Sequence, residues 1–297
     1  MKIYIKKPTQ GAWMWINEGY RAAWEDAGYQ TIEYTHLGEI KDDEYDVMAW
    51  DWDVKDQSSV DCLKKAHRAY LFAQPHNFPL PWGEHPNWSS AIRDNTLIEQ
   101  INEAPNIFLR TFCDPLEEYY NLWKPLQRIP FGLDVINYRP TENKKYAFDV
   151  CYIGGWANNG FDEKKQIMLQ HFAEIKKLNL RCGIFINRNI SLQQEADILF
   201  NSKIAINIHD AYTRTLGINY NERTFKGLGI TGFMVSDRHK LLENDFPELP
   251  MASSPMEMAS LIKDNINTDL TDIKKKNRLD ITNNHTYNNR ISQLLAL

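Results

Sequence analysis

The sequence predicts two successive α/β domains, each a mainly parallel sheet covered by helices on both faces. Three observations carry this. Short β-rich runs alternate with stretches of helical spacing, the alternation restarts after Pro140, and 297 residues are too many for one typical core.

Over residues 1–140, the expected first domain, residues 2–5 read as a strand. Residues 15–27 have the apolar spacing of a helix, which ends at Gly28, a good C-terminal cap. Residues 30–34, 45–50, 69–72 and 107–112 follow as apolar, β-rich runs bounded by polar turns. Thr141-Glu142-Asn143-Lys144-Lys145 is a polar bridge and the expected hinge. The second domain, 141–297, opens with a strand at 148–153, a helix at 163–177 and a strand at 181–186. A helix at 193–200 and strands at 204–208 and 233–236 come next, then helical spacing over 257–262 and on to 276. Residues 287–297 suit a last helix that packs back towards the first domain. Folds of this kind bind ligands in a cleft at the carboxyl ends of the strands.

Composition narrows the class. Hydrophobic content of 43% and charged content of 25% are ordinary for a globular protein. No run of about 18 apolar residues exists, which excludes a spanning helix. The opening Met1-Lys2-Ile3-Tyr4-Ile5-Lys6-Lys7 lacks the apolar core of a signal peptide. Cys62, Cys113, Cys151 and Cys182 are scattered without a C-x-x-C pair, so reduced thiols, a cytoplasmic location and no metal or redox centre are expected. Residues 1–140 hold 14 basic against 21 acidic side chains, and the remainder 20 against 18. The more cationic second half suits an anionic ligand, and the acidic first half weighs against a polyanion resting there.

The most telling stretch is Asn221 to Asp237. It reads as a polar, arginine-bearing helix start, a small-residue turn and a buried strand. Backbone N–H groups and a fixed cation then converge as a diphosphate requires, with Gly227, Gly229 and Gly232 keeping the backbone thin; the alternative is an ordinary helix-to-strand turn.

Four segments, in order, resemble the GT-B glycosyltransferases, especially the spore-maturation-protein-like branch of the group 1 transferases. They are Ile129-Pro130-Phe131-Gly132-Leu133-Asp134 running to Tyr138-Arg139-Pro140, and Asp149-Val150-Cys151-Tyr152-Ile153-Gly154-Gly155-Trp156. Ser202-Lys203-Ile204-Ala205-Ile206-Asn207-Ile208-His209 with the stretch from Asn221 follows, then His285-Thr286-Tyr287 with Arg290. The resemblance covers roughly residues 129–297. It implies two Rossmann-like domains with a cleft between them, an acceptor-binding first domain and a second domain that binds a nucleotide-sugar donor, UDP-linked or another. One position departs from the family, where a glutamate that holds the ribose usually follows Arg-x-Phe. Lys226 stands there, and an ammonium accepts no hydrogen bond. Either Glu222 or another acceptor replaces it, or Lys226 contacts phosphate.

The resemblance sets the candidate site. Charge builds on the departing diphosphate, and fixed cations with N–H donors can stabilise it without a metal or cofactor. Arg223 ranks first because its planar fork matches phosphate oxygens; the alternative is a surface ion pair. Lys226 and Arg214 rank second, and the Gly154-Gly155 turn is a place for the diphosphate to approach the backbone. Arg188 is a candidate beside the base. His209 is a candidate for sugar or phosphate, or a structural histidine. Asn221, Glu222 and Thr224 complete the set, with Asn219 and Asn221 also reading as helix caps. An inverting reaction needs a base in the first domain; Glu18, read as a loop residue facing the cleft, and His76 are the candidates. A retaining reaction needs neither.

Eight of the nine tryptophans precede residue 124, and Trp13, Trp15, Trp82 and Trp88 sit in loop-like context suited to an acceptor platform. Asp51-Trp52-Asp53 has the spacing of a metal motif but lies in the first half, and reads as a strand terminus. The acceptor is a glycan, a lipid-linked or a small molecule. A second reading is a hydroxymethylated DNA base, a third is an epimerase acting on the nucleotide sugar, and a fourth is a non-catalytic sensor.

Overall fold

The computed structural model describes residues 1–7, 11–75, 94–156 and 163–296. Its strands are β1 (Lys2–Lys6), β2 (Gln30–Tyr34), β3 (Asp46–Trp50), β4 (Arg68–Phe72), β5 (Ile107–Thr111), β6 (Gln127–Arg128), β7 (Val150–Gly154), β8 (Cys182–Ile186), β9 (Ile204–Asn207), β10 (Met234–Asp237) and β11 (Met251–Ala252). The helices are α1 (Ala12–Asp26), α2 (Gln57–Lys65), α3 (Asn95–Glu103), α4 (Glu117–Tyr120), α5 (Glu163–Lys176), α6 (Leu192–Asn201), α7 (Ala211–Leu216), α8 (Arg223–Lys226), α9 (Lys240–Asp245), α10 (Pro255–Asn265), α11 (Thr271–Asn284) and α12 (Tyr287–Leu295). They form two compact units, Met1–Pro130 with Tyr287–Leu297, and Phe131–Thr286. No helix among the described residues is long and apolar enough to cross a membrane.

The first unit is a six-stranded parallel sheet in the order β2-β1-β3-β4-β5-β6. All five residues of β3 are buried, as a central strand covered on both faces requires. α1 begins earlier than its apolar spacing suggests, so Trp13, Trp15 and Glu18 lie on a helix and not in a loop. It packs closely on α12: a Cβ at Gly19 would stand 2.4 Å from the Tyr287 ring. α2 is capped by Asp56, whose carboxylate accepts from the Ser59 N–H at 3.0 Å.

The second unit is a five-stranded parallel sheet in the order β11-β10-β9-β7-β8. Its core gathers Val150, Tyr152, Ile204, Ile206, Val235 and Met258 from strands and helices. α6 starts at a Ser191–Gln194 capping box, and α10 has Ser254 as its cap with Pro255 at the first helical position. The expected hinge is tied down on α6, with Thr141 N–H donating to Asp197 and Asn143 N–H to Asn201.

Both sheets share one topological feature. Chain order reverses between β1 and β3 in the first and between β7 and β9 in the second. Crossover helices leave those two strands on opposite faces, which opens a crevice at their carboxyl ends.

Candidate functional site

At the reversal point of the second sheet, β7 ends at Gly154 and β9 at Asn207. Arg223, the first residue of α8, reaches across both ends. Its Nε donates to Asn207 Oδ1 at 3.3 Å and its Nη2 to the Ile208 carbonyl at 3.2 Å, and the guanidinium lies over the Tyr152 ring. A Cβ at Gly154 would stand 2.3 Å from Arg223 Nη1, so only glycine leaves room for the arginine here. Burial alone would lower the guanidinium's pKa. Tyr152, Glu222, Asp210 and Asp237 outweigh it and hold the pKa above the usual arginine range.

A second cation comes from α5. Lys164 is buried and its Nζ lies 2.5 Å from Asp210 Oδ1. Burial and then the Arg223 charge push the ammonium below the usual lysine range, against the pull of Asp210. Burial would raise the Asp210 carboxyl, but Lys164, Arg223 and His209 hold it low. Arg214 completes the group; its Nε is 3.9 Å from Asp237 Oδ2, too far for a hydrogen bond, and is buried without a partner.

Beneath these cations runs a buried network. His209 is fully buried, with Nδ1 2.6 Å from Asp237 Oδ1 and its backbone N–H 3.0 Å from Oδ2. Burial opposes ionisation of Asp237, but His209 and Arg214 keep its pKa low, so Asp237 accepts and Nδ1–H donates. Nε2 is then the acceptor for Asn207 Nδ2 at 3.3 Å. The same amide lies 3.3 Å from the Thr224 hydroxyl oxygen. Three cations and a thin glycine edge thus meet at one sheet reversal, an arrangement able to hold a diphosphate.

Residues 149–296 match the family model described as Glycosyl transferase-like. That span carries a glycosyltransferase family domain. The fold of this glycosyltransferase is similar to that of an alpha-glucosyltransferase in complex with UDP, at 12% identity over 96% of both chains and a TM-score of 0.58. A putative UDP-N-acetylglucosamine 2-epimerase from Listeria monocytogenes is similar at 9% identity, over 100% of this chain and 95% of that one, with a TM-score of 0.53. Spinosyn rhamnosyltransferase SpnG complexed with thymidine diphosphate is similar at 10% identity over all of both chains, with a TM-score of 0.50. No curated protein matches the sequence.

The glycosyltransferase brings some of the expected residues together and sends others elsewhere. Arg223, Gly154, Arg214, His209 and Thr224 converge as described. Asn221 stands just before α8 with its Oδ1 buried and unpartnered, so it is no side-chain cap. Glu222 opens α8 without capping it, 4.0 Å from Lys226. A Cβ at Gly155 would stand 2.6 Å from Asn187 Oδ1, so this glycine serves the turn into the next loop. Arg188 is exposed in the loop after β8.

Two expectations need correction. Lys226 is buried, donates to Glu195 Oε1 at 3.1 Å and lies over the Tyr138 ring; a neutralised ammonium under the surface is not a free phosphate ligand. The glycines after it do not thin the chain for an anion. Gly227 packs on Met234, Gly229 on Leu133 and Ile281, and Gly232 takes φ +84° to end a π-helical turn, Gly227–Thr231.

In the first unit, Glu18 lies on α1 in a two-pronged ion pair with Arg21. His76, Trp82 and Trp88 lie outside the described residues. Lys164 escaped sequence reasoning. The available signal was that it is the first cation after the Gly154-Gly155-Trp156 turn, at the start of a helix.

Proposed function

We propose that this glycosyltransferase moves a sugar from a nucleotide-diphosphate sugar to a hydroxyl acceptor, with the diphosphate held by Arg223 and Lys164. The observation that carries the proposal is the placement of Arg223, anchored on Asn207 and the Ile208 carbonyl so that Nη1 projects past Gly154. Two fixed cations supply the charge that the departing diphosphate needs, so transfer proceeds without a divalent metal. A diphosphate oxygen competes with Asp210 for Lys164 and completes the unpartnered Arg214 Nε. UDP is the first donor base to test, since an alpha-glucosyltransferase of similar fold binds it. The four ordered segments support the spore-maturation-protein-like branch.

The acidic balance of residues 1–140 favours a neutral, hydroxyl-bearing acceptor such as a glycan. A second reading, a hydroxymethylated DNA base, rests on likeness to an alpha-glucosyltransferase in complex with UDP and a 13-mer DNA containing an HMU base, at 13% identity and a TM-score of 0.56. Under an inverting mechanism Glu18, paired with Arg21 on α1, is a candidate base, and His76 is the other.

Calorimetric titration with UDP, with and without magnesium, tests the donor site. Arg223→Ala is expected to weaken UDP about tenfold or more, the loss of one charge-assisted hydrogen-bond set. Unchanged affinity would remove the donor from this position. UDP release from UDP-glucose, measured with glycans and with hydroxymethylated DNA, separates the two acceptor readings.

A further inference from the structure

The Asp51-Trp52-Asp53 turn follows β3 at the reversal point of the first sheet. Its two carboxylates differ. Asp53 is fully engaged: Oδ1 pairs with Lys6 Nζ at 2.9 Å, and Oδ2 accepts from the Tyr34 hydroxyl at 2.9 Å and the Trp50 N–H at 3.2 Å. Asp51 is half engaged. Its Oδ2 accepts from the Gln74 N–H at 2.6 Å, while Oδ1 is buried with no hydrogen-bond partner. Gln74, just beyond β4, has its own side-chain Nε2 buried and unpartnered.

An orphaned acceptor and an orphaned donor on adjacent strand ends are costly unless something completes them. The residue after Asp51 opens an aromatic wall. Trp52 is partly exposed and stacks on buried Trp50 at 5.3 Å and 11°, and Trp13 braces both rings at 4.7 and 4.8 Å. A flat apolar face on the residue after an unpartnered carboxyl oxygen, with an unpartnered amide donor on the neighbouring strand end, is the chemistry that recognises a sugar ring. The ring's C–H face lies on the indole, while one hydroxyl hydrogen-bonds the Asp51 carboxyl oxygen and a second oxygen accepts from the amide.

We propose that Asp51, Gln74 and Trp52 form a subsite for a neutral sugar ring at the carboxyl edge of the first sheet. The partly exposed Gln74 side chain marks its entrance. As the acceptor subsite of the enzyme it rests on the glycosyl-transfer reading above; as a saccharide-binding site it stands without the donor. The surplus of acidic residues over 1–140 selects a neutral sugar against a nucleic acid.

Saturation-transfer NMR on the full chain, with maltose, cellobiose and chitobiose as probes, tests it. A saturable signal is expected from at least one of them at millimolar concentration. That signal should weaken at least tenfold in Asp51→Ala and in Trp52→Ala, with UDP affinity unchanged in both. Trp52→Ala removes a partly exposed ring, so it keeps the test open if Asp51→Ala misfolds. The subsite is overturned if none of the three saccharides gives a saturable signal, if the signal survives both variants, or if a hydroxymethylated DNA duplex binds through Trp52 while saccharides do not. Saccharide binding without UDP binding leaves the subsite standing and defeats the donor reading; UDP binding without saccharide binding does the reverse.

Discussion

Asp237 and Arg223 are joined by three hydrogen bonds in series. Asp237 holds His209 at 2.6 Å, His209 faces Asn207 at 3.3 Å, and Asn207 accepts from Arg223 at 3.3 Å. The direction of the chain is fixed at its buried end. An ionised Asp237 only accepts, which commits Nδ1–H, leaves Nε2 as acceptor, and turns the Asn207 amide so that its oxygen meets the guanidinium.

Asp237→Asn is therefore expected to weaken the proposed donor site without a contact of its own to the nucleotide. Without the carboxylate the His209 tautomer is no longer dictated, the Asn207 amide can turn over, and Arg223 loses its acceptor. UDP affinity is expected to fall about threefold, a smaller loss than for Arg223→Ala because the charge remains. A titration in which Asp237→Asn binds UDP like the parent would show that the network does not position Arg223.

Gly154→Ala should separate stability from binding. The added Cβ meets the far end of a flexible side chain, 2.3 Å from Arg223 Nη1 and 3.0 Å from the Tyr152 hydroxyl. The guanidinium can swing aside, so the melting temperature should move little while UDP affinity falls. A large stability loss with intact affinity would mean that the glycine serves the strand and not the arginine.

The Lys226–Glu195 pair makes the opposite prediction. Both side chains are more than nine-tenths buried, and the Tyr138 hydroxyl donates to Glu195 Oε2 at 2.6 Å. Lys226→Ala leaves a carboxylate uncompensated and should cost about 3–5 kcal/mol in urea unfolding. Lys226→Met with Glu195→Leu should recover most of that loss. Where Lys226→Ala remains folded, its UDP affinity should match the parent's; a selective loss would return Lys226 to the phosphate site.

The difference between Arg223 and Lys226 shows what the sequence could yield. Strand and helix order was legible because buried parallel strands and amphipathic helices impose their own periods, as at residues 45–50 and 193–200. The place of Arg223 at a helix start was legible because a polar run there leads into a small-residue turn and a buried strand. Lys226 was misread because its partner lies 31 positions earlier on α6, and pairing across that distance leaves no local signal. The same holds for Lys164, whose partner Asp210 comes from a loop two strands later. Trp13 and Glu18 stand on α1, which starts directly after Gly11, and not in the loop their context suggests.

Asp51 gives a pH signature in stability. Burial is the main cause that pushes its carboxyl up to about 8, while the Gln74 and Trp52 N–H groups pull the other way. In the unfolded chain the group titrates near 3.9, so folding binds a proton that the unfolded chain releases. The Asp51 contribution to stability is thus intact below about pH 4, is lost progressively as pH rises towards 8, and is level above that. Asp51→Asn abolishes the titration, so its advantage over the parent should be absent near pH 4 and reach a few kcal/mol at pH 8. Lys274, lowered to about 8 by burial, adds an opposite trend at alkaline pH, but it is present in both proteins and cancels in the difference. Urea unfolding of the pair at pH 4.5, 6 and 8 is the measurement. A gap that does not widen with pH would show that Asp51 is not buried as a neutral acid.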